Sequence, residues 1–158
     1  MNKQHMALSL HRFCDVPVED WLELLNNPAV VRHMPLTHGN WTARAASDWV
    51  KGKDGQWLDH GYGPWSIRIG GQFAGWGGFQ REGEEADLAL VLLPAYWGQG
   101  ARIFRHLMSL RAELGIGPVS ILLPPSRSRF KGLARLGFVF AGEVTYEDQR
   151  FLKFRTCG

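Results

Sequence analysis

The sequence has 158 residues, of which 45% are hydrophobic and 21% charged, and these proportions are those of an ordinary soluble globular protein. This length predicts a single domain over residues 1–158 with a substantial buried core. The net charge of +3 is too small to indicate nucleic-acid binding by itself, and the apolar runs are too short to span a bilayer.

The N-terminal segment and the two cysteines indicate in which cellular compartment we expect the protein. The start, MNKQHMALSLHRF, lacks the sustained apolar core and the cleavage site of a signal peptide, so we expect a cytoplasmic protein that does not bind a membrane. Cys14 and Cys157 lie far apart and show no metal-ligand spacing, which predicts two reduced thiols and no metal site. A monomer and a homodimer are both compatible with the sequence.

The first half of the chain predicts a strand, two helices and a hairpin. The strand is ALSLHRF, and the first helix is VEDWLELLNN, which stops before Pro28. The second helix is TARAASDWVKG, with Thr42 as its N-cap and Gly52 at its end. Loops are predicted for VVRHMPLTHGNW and GQWLDHGYGPW, and the hairpin PWSIRIGGQFAGWGGF turns at Gly70 and Gly71.

The second half predicts a central strand, ADLALVLLP, because apolar residues occupy both of its faces. An amphipathic helix follows from about Gln99 to Leu114, then a buried strand, PVSILLP, and a helix, SRSRFKGLARLGF, capped by Gly137. Two closing strands turn near Glu147 and Asp148. The predicted fold is α/β (α+β), in the order β-α-α-β-β-β-α-β-α-β-β.

Gly98 and Gly100 separate the central strand from the amphipathic helix. The first N–H groups of a helix have no internal partner and favour negative charge, and glycines let a ligand approach the backbone. The pattern therefore suits a pyrophosphate, with a plain tight turn as the alternative. The loop matches neither GxxxxGK[ST] nor GxGxxG.

The wider pattern resembles the GNAT superfamily of N-acetyltransferases, and most closely its branch of ribosomal-protein N-terminal acetyltransferases. The resemblance is carried by GPWSIRIGGQFAGWGGF, LALVLLPAYWGQG, ARLGF and VFAGE in this order, and it extends from LSLHRF to FLKFR. It implies a mixed, largely antiparallel sheet of about seven strands with four helices. It also implies acetyl-CoA as the cosubstrate, without a metal.

The resemblance further implies where acetyl-CoA binds. Its pyrophosphate would lie on a loop and first helical turn that comprise Trp97, Gly98, Gln99, Gly100, Ala101, Arg102 and Ile103. Its pantetheine arm would pair with the strand at Leu90, Val91 and Leu92, between the fourth and fifth strands. Ser126 and Arg129 occupy the positions of a polar pair in the final helix.

Several residues depart from the family pattern. Trp97 stands where the family has Gln or Arg, although tryptophan is common in the branch. Arg102 replaces a small residue, and it either contacts phosphate, or is a solvated helix residue, or fills the space that a phosphate needs. Leu133 stands where many relatives have a tyrosine that protonates the leaving thiolate. Water, Ser126 or Ser128 would then supply this proton, unless positioning of the reactants suffices for catalysis.

N-acetyl transfer needs a base that accepts a proton from the amine. Asp87 aligns with a carboxylate that is frequent in the branch, although it can also be read as a surface residue of the EGEEAD turn. His33, His38 and His60 are weaker candidates, in loops that would flank the acceptor cleft. An aromatic lining of this cleft is predicted for Trp41, Trp57, Tyr62 and Trp65.

The sequence thus predicts an acetyl-CoA-dependent N-acetyltransferase that acts on a primary amine, either of a protein N-terminus or of a small molecule. The alternative is a CoA-binding sensor without turnover, which Leu133 and Arg102 favour. Nucleic-acid binding through SRSRFKGLAR lacks a supporting motif, and we expect none. Basic residues of two helices would either face the 3′-phosphate of CoA or be solvated: Arg102, Arg105, Arg127, Arg129, Lys131 and Arg135.

Overall fold

The computed structural model describes residues 5–34, 39–125 and 132–156. Seven strands form one sheet in the order β1-β2-β3-β4-β5-β7-β6. They are β1 (Leu8–His11), β2 (Pro64–Ile69), β3 (Gln72–Glu82), β4 (Glu85–Leu92), β5 (Val119–Leu123), β6 (Val139–Tyr146) and β7 (Gln149–Arg155). All neighbouring strands are antiparallel except β4 and β5, which are parallel. The predicted α/β fold with a largely antiparallel, seven-stranded sheet is confirmed.

The described residues form three helices of eight to twelve residues and two short ones. They are α1 (Val18–Leu25), α2 (Pro28–Val31), α3 (Ala43–Asp54), α4 (Gln56–His60) and α5 (Gly100–Ser109). The Thr42 side chain caps α3 by accepting a hydrogen bond from the Ala45 N–H at 3.1 Å, as the sequence predicts.

Two short helices lie where the sequence predicts no helix. The Asn27 side chain accepts hydrogen bonds from the backbone N–H groups of Ala29 and Val30, so Asn27 and the following proline begin α2 instead of only ending α1. The other is α4, which ends at Gly61 in the left-handed conformation. In addition, α3 continues past Gly52.

The amphipathic helix is shorter than predicted. It ends at Ser109, after which the chain makes turns up to Gly115, whose φ is +68°. Of the predicted final helix, residues 126–131 lie outside the described residues, and these include Ser126, Ser128 and Arg129. The part that follows forms a 3₁₀ turn, Ala134–Leu136, closed by Gly137 in the predicted left-handed conformation.

The sheet separates two hydrophobic clusters, and β4 contributes to both. Leu88 and Leu92 pack with Ile103 and other α5 residues on one face. Ala89 and Val91 pack against the second cluster, which contains apolar residues of α1 and α3 on the other face. The prediction of a central strand covered on both sides is therefore confirmed.

Candidate active site

Strands β4 and β5 separate soon after they meet. Their residues are paired only at Ala86 with Val119 and at Asp87 with Ser120, although both strands continue beyond these positions. A cavity of about 550 Å³ is lined by residues of both strands where they diverge. It also reaches the beginning of α5, since Trp97 and Gly100 belong to its lining.

The backbone of β4 is closed on one edge and open on the other. A Cβ atom on Gly75 of β3 would lie 2.1 Å from the Val91 carbonyl oxygen, so this carbonyl faces β3. Because alternate residues of a strand direct their backbone groups to the same neighbour, Leu90 and Leu92 direct theirs toward the gap. Val91 contributes its side chain to the cavity wall.

The loop before α5 leaves the start of this helix accessible. Residues Pro94–Gln99 form a 3₁₀ turn, and the Gln99 side chain at the N-cap accepts no hydrogen bond from the first N–H groups of α5. A Cβ atom on Gly98 would meet no heavy atom within 4 Å. Ile103 is fully buried in the core, so only its backbone could meet a ligand.

Trp97 is anchored to β4. Its indole Nε1 donates a hydrogen bond to the Leu92 carbonyl oxygen at 2.8 Å, and its ring lies edge-on to His33 with the ring centroids 5.6 Å apart. The Leu92 carbonyl is therefore already bonded, whereas the Leu92 N–H and both backbone groups of Leu90 are directed toward the gap.

Arg102 contacts the N-terminal segment of the chain. Its guanidinium donates hydrogen bonds to the Met6 carbonyl oxygen at 2.7 Å and to the Gln99 side-chain oxygen at 3.3 Å. The side chain thus connects α5 to the segment before β1. Contact between Arg102 and a phosphate stays a prediction.

Asp87 lies where β4 and β5 diverge, and it lines the cavity. Its Oδ1 atom is inaccessible to solvent and has no hydrogen-bond partner among the described residues. Burial raises the pKa of its carboxyl group from 3.8 to about 7; Glu82 raises it as well, whereas Lys53 and Lys153 lower it. Near neutral pH this carboxylate can accept a proton, as a base must.

Lys53 approaches the same part of the cavity from α3. Its ammonium group donates a hydrogen bond to the side-chain oxygen of Gln80, the residue opposite Asp87 in the β3–β4 register. It also lies over the rings of Trp49 and Trp76, 5.8 and 5.2 Å from their centroids. Burial lowers the pKa of this ammonium group, while Asp87 and Glu82 raise it.

A family model for the acetyltransferase (GNAT) domain matches residues 8–103, which include β1, the helices α1 to α4, the strands β2 to β4 and the glycine loop. The chain belongs to the GNAT acetyltransferase family. No curated protein matches it.

Solved structures of GNAT and other acetyltransferases are similar in fold. A putative GNAT-family acetyltransferase from Bordetella pertussis is 19% identical, with a TM-score of 0.76 and coverage of 95% of each chain. An aminoglycoside acetyltransferase in complex with coenzyme A is 16% identical, with a TM-score of 0.71, covering 96% of this chain and 94% of that one. A ribosomal L7/L12 alpha-N-protein acetyltransferase in complex with coenzyme A is 17% identical, with a TM-score of 0.76 and coverages of 95% and 93%.

The aromatic lining of this GNAT cavity differs from the sequence prediction. Trp41 lines the cavity as expected, but the prediction is wrong for Trp57, Tyr62 and Trp65, which are not part of its lining. Trp57 donates instead to the Pro64 carbonyl oxygen at 2.9 Å and packs against Trp65. The lining residues that the sequence analysis does not predict include Trp49, Lys53 and Trp76.

For Trp49 and Lys53, the spacing along the helix is a signal that is already present in the sequence. Trp49 and Lys53 are four residues apart on α3 and therefore lie on one face of the helix.

Of the histidines that the sequence offers as weaker base candidates, His33 lines the cavity, His60 does not, and His38 lies outside the described residues. Leu133 is buried in the core.

Two general findings concern the described part of the chain. It contains no helix that is both long and apolar enough to cross a membrane. Nor do its residues include a group of three or more histidine, cysteine, aspartate or glutamate side chains that could hold a metal ion. Cys14 is an exposed free thiol.

Proposed function

We propose that this GNAT protein is an acetyl-CoA-dependent N-acetyltransferase in which Asp87 accepts the proton of a primary amine. One observation carries the proposal. Asp87 has an unpartnered carboxylate oxygen and a pKa of about 7, and it lies in the cavity between the diverging strands that also reaches Gly100.

The residues present fit acetyl-CoA. Leu90 offers strand-edge backbone groups toward the gap, which suits pairing with the amide groups of the pantetheine arm. The accessible N-terminus of α5 and the open space at Gly98 suit the pyrophosphate. The proposed binding residues remain those of the loop from Trp97 to Ile103, the strand from Leu90 to Leu92, and Ser126 and Arg129. When bound, acetyl-CoA supplies the thioester.

The amine must be neutral when its nitrogen attacks the thioester carbonyl. The new C–N bond forms, the C–S bond breaks, Asp87 accepts the proton from nitrogen, and the thiolate takes a proton from water or from Ser126. A base with a pKa of about 7 is half ionised at neutral pH, which suits this step. Positioning of amine and thioester in one cavity supplies the rest of the rate enhancement.

The acceptor in this proposal is a primary amine of a small molecule or of a protein N-terminus. The similar structures include an aminoglycoside acetyltransferase and a ribosomal-protein acetyltransferase at nearly the same identity, so they favour neither class. The assignment to the ribosomal-protein branch rests on the sequence motifs. We propose the cytoplasm as the compartment, in keeping with the free thiol of Cys14.

The test compares Asp87→Asn with Asp48→Asn, which removes an exposed carboxylate of α3. We expect Asp87→Asn to lower kcat/KM for amine-dependent thiol release roughly 10²- to 10⁴-fold, because the base is lost, and to leave acetyl-CoA binding unchanged. Asp48→Asn should change neither quantity. If the native protein binds acetyl-CoA but releases no thiol with any amine, the CoA-binding sensor is the better description. Absence of acetyl-CoA binding refutes the whole proposal.

A further inference from the structure

The end of the cavity near Asp87 contains hydrogen-bond donors without acceptors. Trp76 is buried, lines the cavity, and has an indole N–H without a partner among the described residues. Lys53 Nζ has three protons and donates one to Gln80. Buried donors without acceptors cost free energy, so this end of the cavity favours a ligand that brings an acceptor.

Lys53 has no carboxylate partner. Every Asp and Glu of the chain lies in the ranges that the structure describes, and none of their oxygens is within 4.0 Å of its ammonium nitrogen. A half-buried ammonium held only by an amide oxygen and two aromatic rings is more stable when an anion binds beside it. The acceptor missing at this end is therefore best supplied by an anionic group.

The balance of charge in the cavity argues against a polycationic acceptor. Among the described lining residues Asp87 is the only carboxylate, and Lys53 is the only permanently basic group. Several ammonium groups on one acceptor would need several carboxylates, and Lys53 would repel them. One cation and one anion on the walls fit one amine and one anion on the acceptor.

Lys53 and Asp87 are near enough to bind two ends of one small molecule. Gln80, which accepts the Lys53 hydrogen bond, stands directly across from Asp87 in the antiparallel pair. Side chains opposite each other in such a pair have Cβ atoms about 5 Å apart. An α-amino acid has its amine and carboxylate on the same carbon, so both groups can be reached at once.

The remaining wall is apolar and aromatic. Four tryptophans line the cavity: Trp41, Trp49, Trp76 and Trp97. Aliphatic residues of α1, β4 and β5 also belong to this wall. Such walls favour an apolar side chain on the acceptor.

We propose that the acceptor is a free α-amino acid with an apolar side chain, whose carboxylate is bound by Lys53 while Asp87 accepts the proton of its α-amine. This assignment rests on the proposed N-acetyltransferase function. A protein N-terminus has an amide where the amino acid has its carboxylate, and a polyamine has no anion there. Lys53 is then the residue that selects the acceptor class.

The experiment measures kcat/KM for leucine, methionine, phenylalanine and tryptophan, each against its amide, in the native protein, in Lys53→Met and in Lys51→Met. Lys51→Met removes the same charge from an exposed position of α3 and serves as the control. We expect the native protein and Lys51→Met to favour at least one acid over its amide by roughly 10- to 100-fold, the effect of one charge-assisted hydrogen bond. In Lys53→Met this preference should disappear, mainly through a higher KM for the acid, with the amide little changed.

The outcomes separate this inference from the proposed function. If amides, peptide N-termini or polyamines are acetylated as well as or better than the acids, the inference is wrong and the N-acetyltransferase remains. It is also wrong if Lys53→Met lowers kcat/KM equally for acids and amides, since that indicates a structural role. If no amine is acetylated, calorimetric binding decides: a Lys53-dependent preference for acid over amide supports the inference although the proposed function fails, and equal binding overturns both.

Discussion

The two edges of β4 differ in nearly every respect. Against β3, the strand is paired from Glu85 to Leu92, and its Val91 carbonyl approaches Gly75 so closely that no side chain fits there. Against β5, it is paired only at Ala86 and Asp87. Because unpaired buried backbone groups cost free energy, the open edge favours a ligand that pairs like a strand, whereas the closed edge fixes the position of β4.

The neighbour of β5 explains how the open edge is maintained. Strand β5 pairs antiparallel with β7 from Ser120 to Leu123, beyond the point where it leaves β4. The separation is therefore built into the sheet, since β5 follows β7. One strand can thus be fixed rigidly on one side and still offer a binding edge on the other.

We expect the strongest destabilisation from a substitution at the closed edge. Gly75→Ala places a Cβ atom 2.1 Å from the Val91 carbonyl oxygen, at a φ of +146°. We expect a loss of at least about 3 kcal/mol in the free energy of unfolding, measured by urea denaturation. The control is Gly52→Ala, in α3 with open space around its Cβ atom, which should stabilise the protein by up to about 1 kcal/mol. Equal urea midpoints for the two variants would show that β3 and β4 can move apart at Gly75 with little loss of stability.

A substitution at the open side should affect the binding of acetyl-CoA while leaving the fold unchanged. Acetyl-CoA at about 100 times its Kd should stabilise the native protein by about 2.7 kcal/mol in a thermal shift experiment. Gly98→Glu has room for its side chain and should keep the fold, but its carboxylate lies where the pyrophosphate is proposed to bind, and most of the shift should be lost. Gly117→Glu, at an equally open glycine after α5, should keep the full shift. A full shift in Gly98→Glu would place the phosphates elsewhere.

The smallest effect concerns stability at the point where the strands diverge. The pKa of Asp87 is about 7 in the folded protein, above its ordinary value of 3.8, so ionising this group destabilises the fold above pH 7 and not below pH 4. Asp87→Asn lacks this cost. It should be more stable than the native protein at pH 8 by roughly 1–2 kcal/mol, allowing for the solvent-accessible part of the side chain.

The pH dependence provides the check on this prediction. The stability difference between Asp87→Asn and the native protein should shrink as the pH falls from 7 to 4, when measured by denaturation at each pH. A difference that does not change with pH would mean that the carboxyl group titrates as in the unfolded chain.

The turns are predicted correctly because their signals are local, although the ends of α3 and α5 are not. The turns at Gly70 and Gly71, with φ of +60° and +80°, and at Glu147 and Asp148, with φ of +48° and +64°, lie where the sequence predicts them. Prediction from the sequence fails where one residue has two structural roles. The sequence predicts Asn27 only as part of a helix end, yet its side chain also begins α2.

The sequence predicts some residues of the candidate site and not others, because only some of them have a local signal. The family motifs predict Asp87, and this residue lines the cavity. The sequence predicts an aromatic lining from loops, whereas Trp49 and Trp76 reach the cavity from α3 and β3. Contact with a phosphate is one of the predictions for Arg102, but its hydrogen bond to Met6, 96 residues away in the chain, has no local signature.

The strands, the turns, the glycine loop and the approximate positions of the longer helices follow from the sequence, because they depend on periodicities and backbone preferences over a few residues. In contrast, the presence of Lys53, Trp76 and Asp87 around one cavity and the departure of β5 from β4 after Ser120 are evident only in the folded protein. Those facts depend on strand register and on the packing of α3 against the sheet. Register and packing are set by the contacts of the whole fold, and no short stretch of sequence contains them.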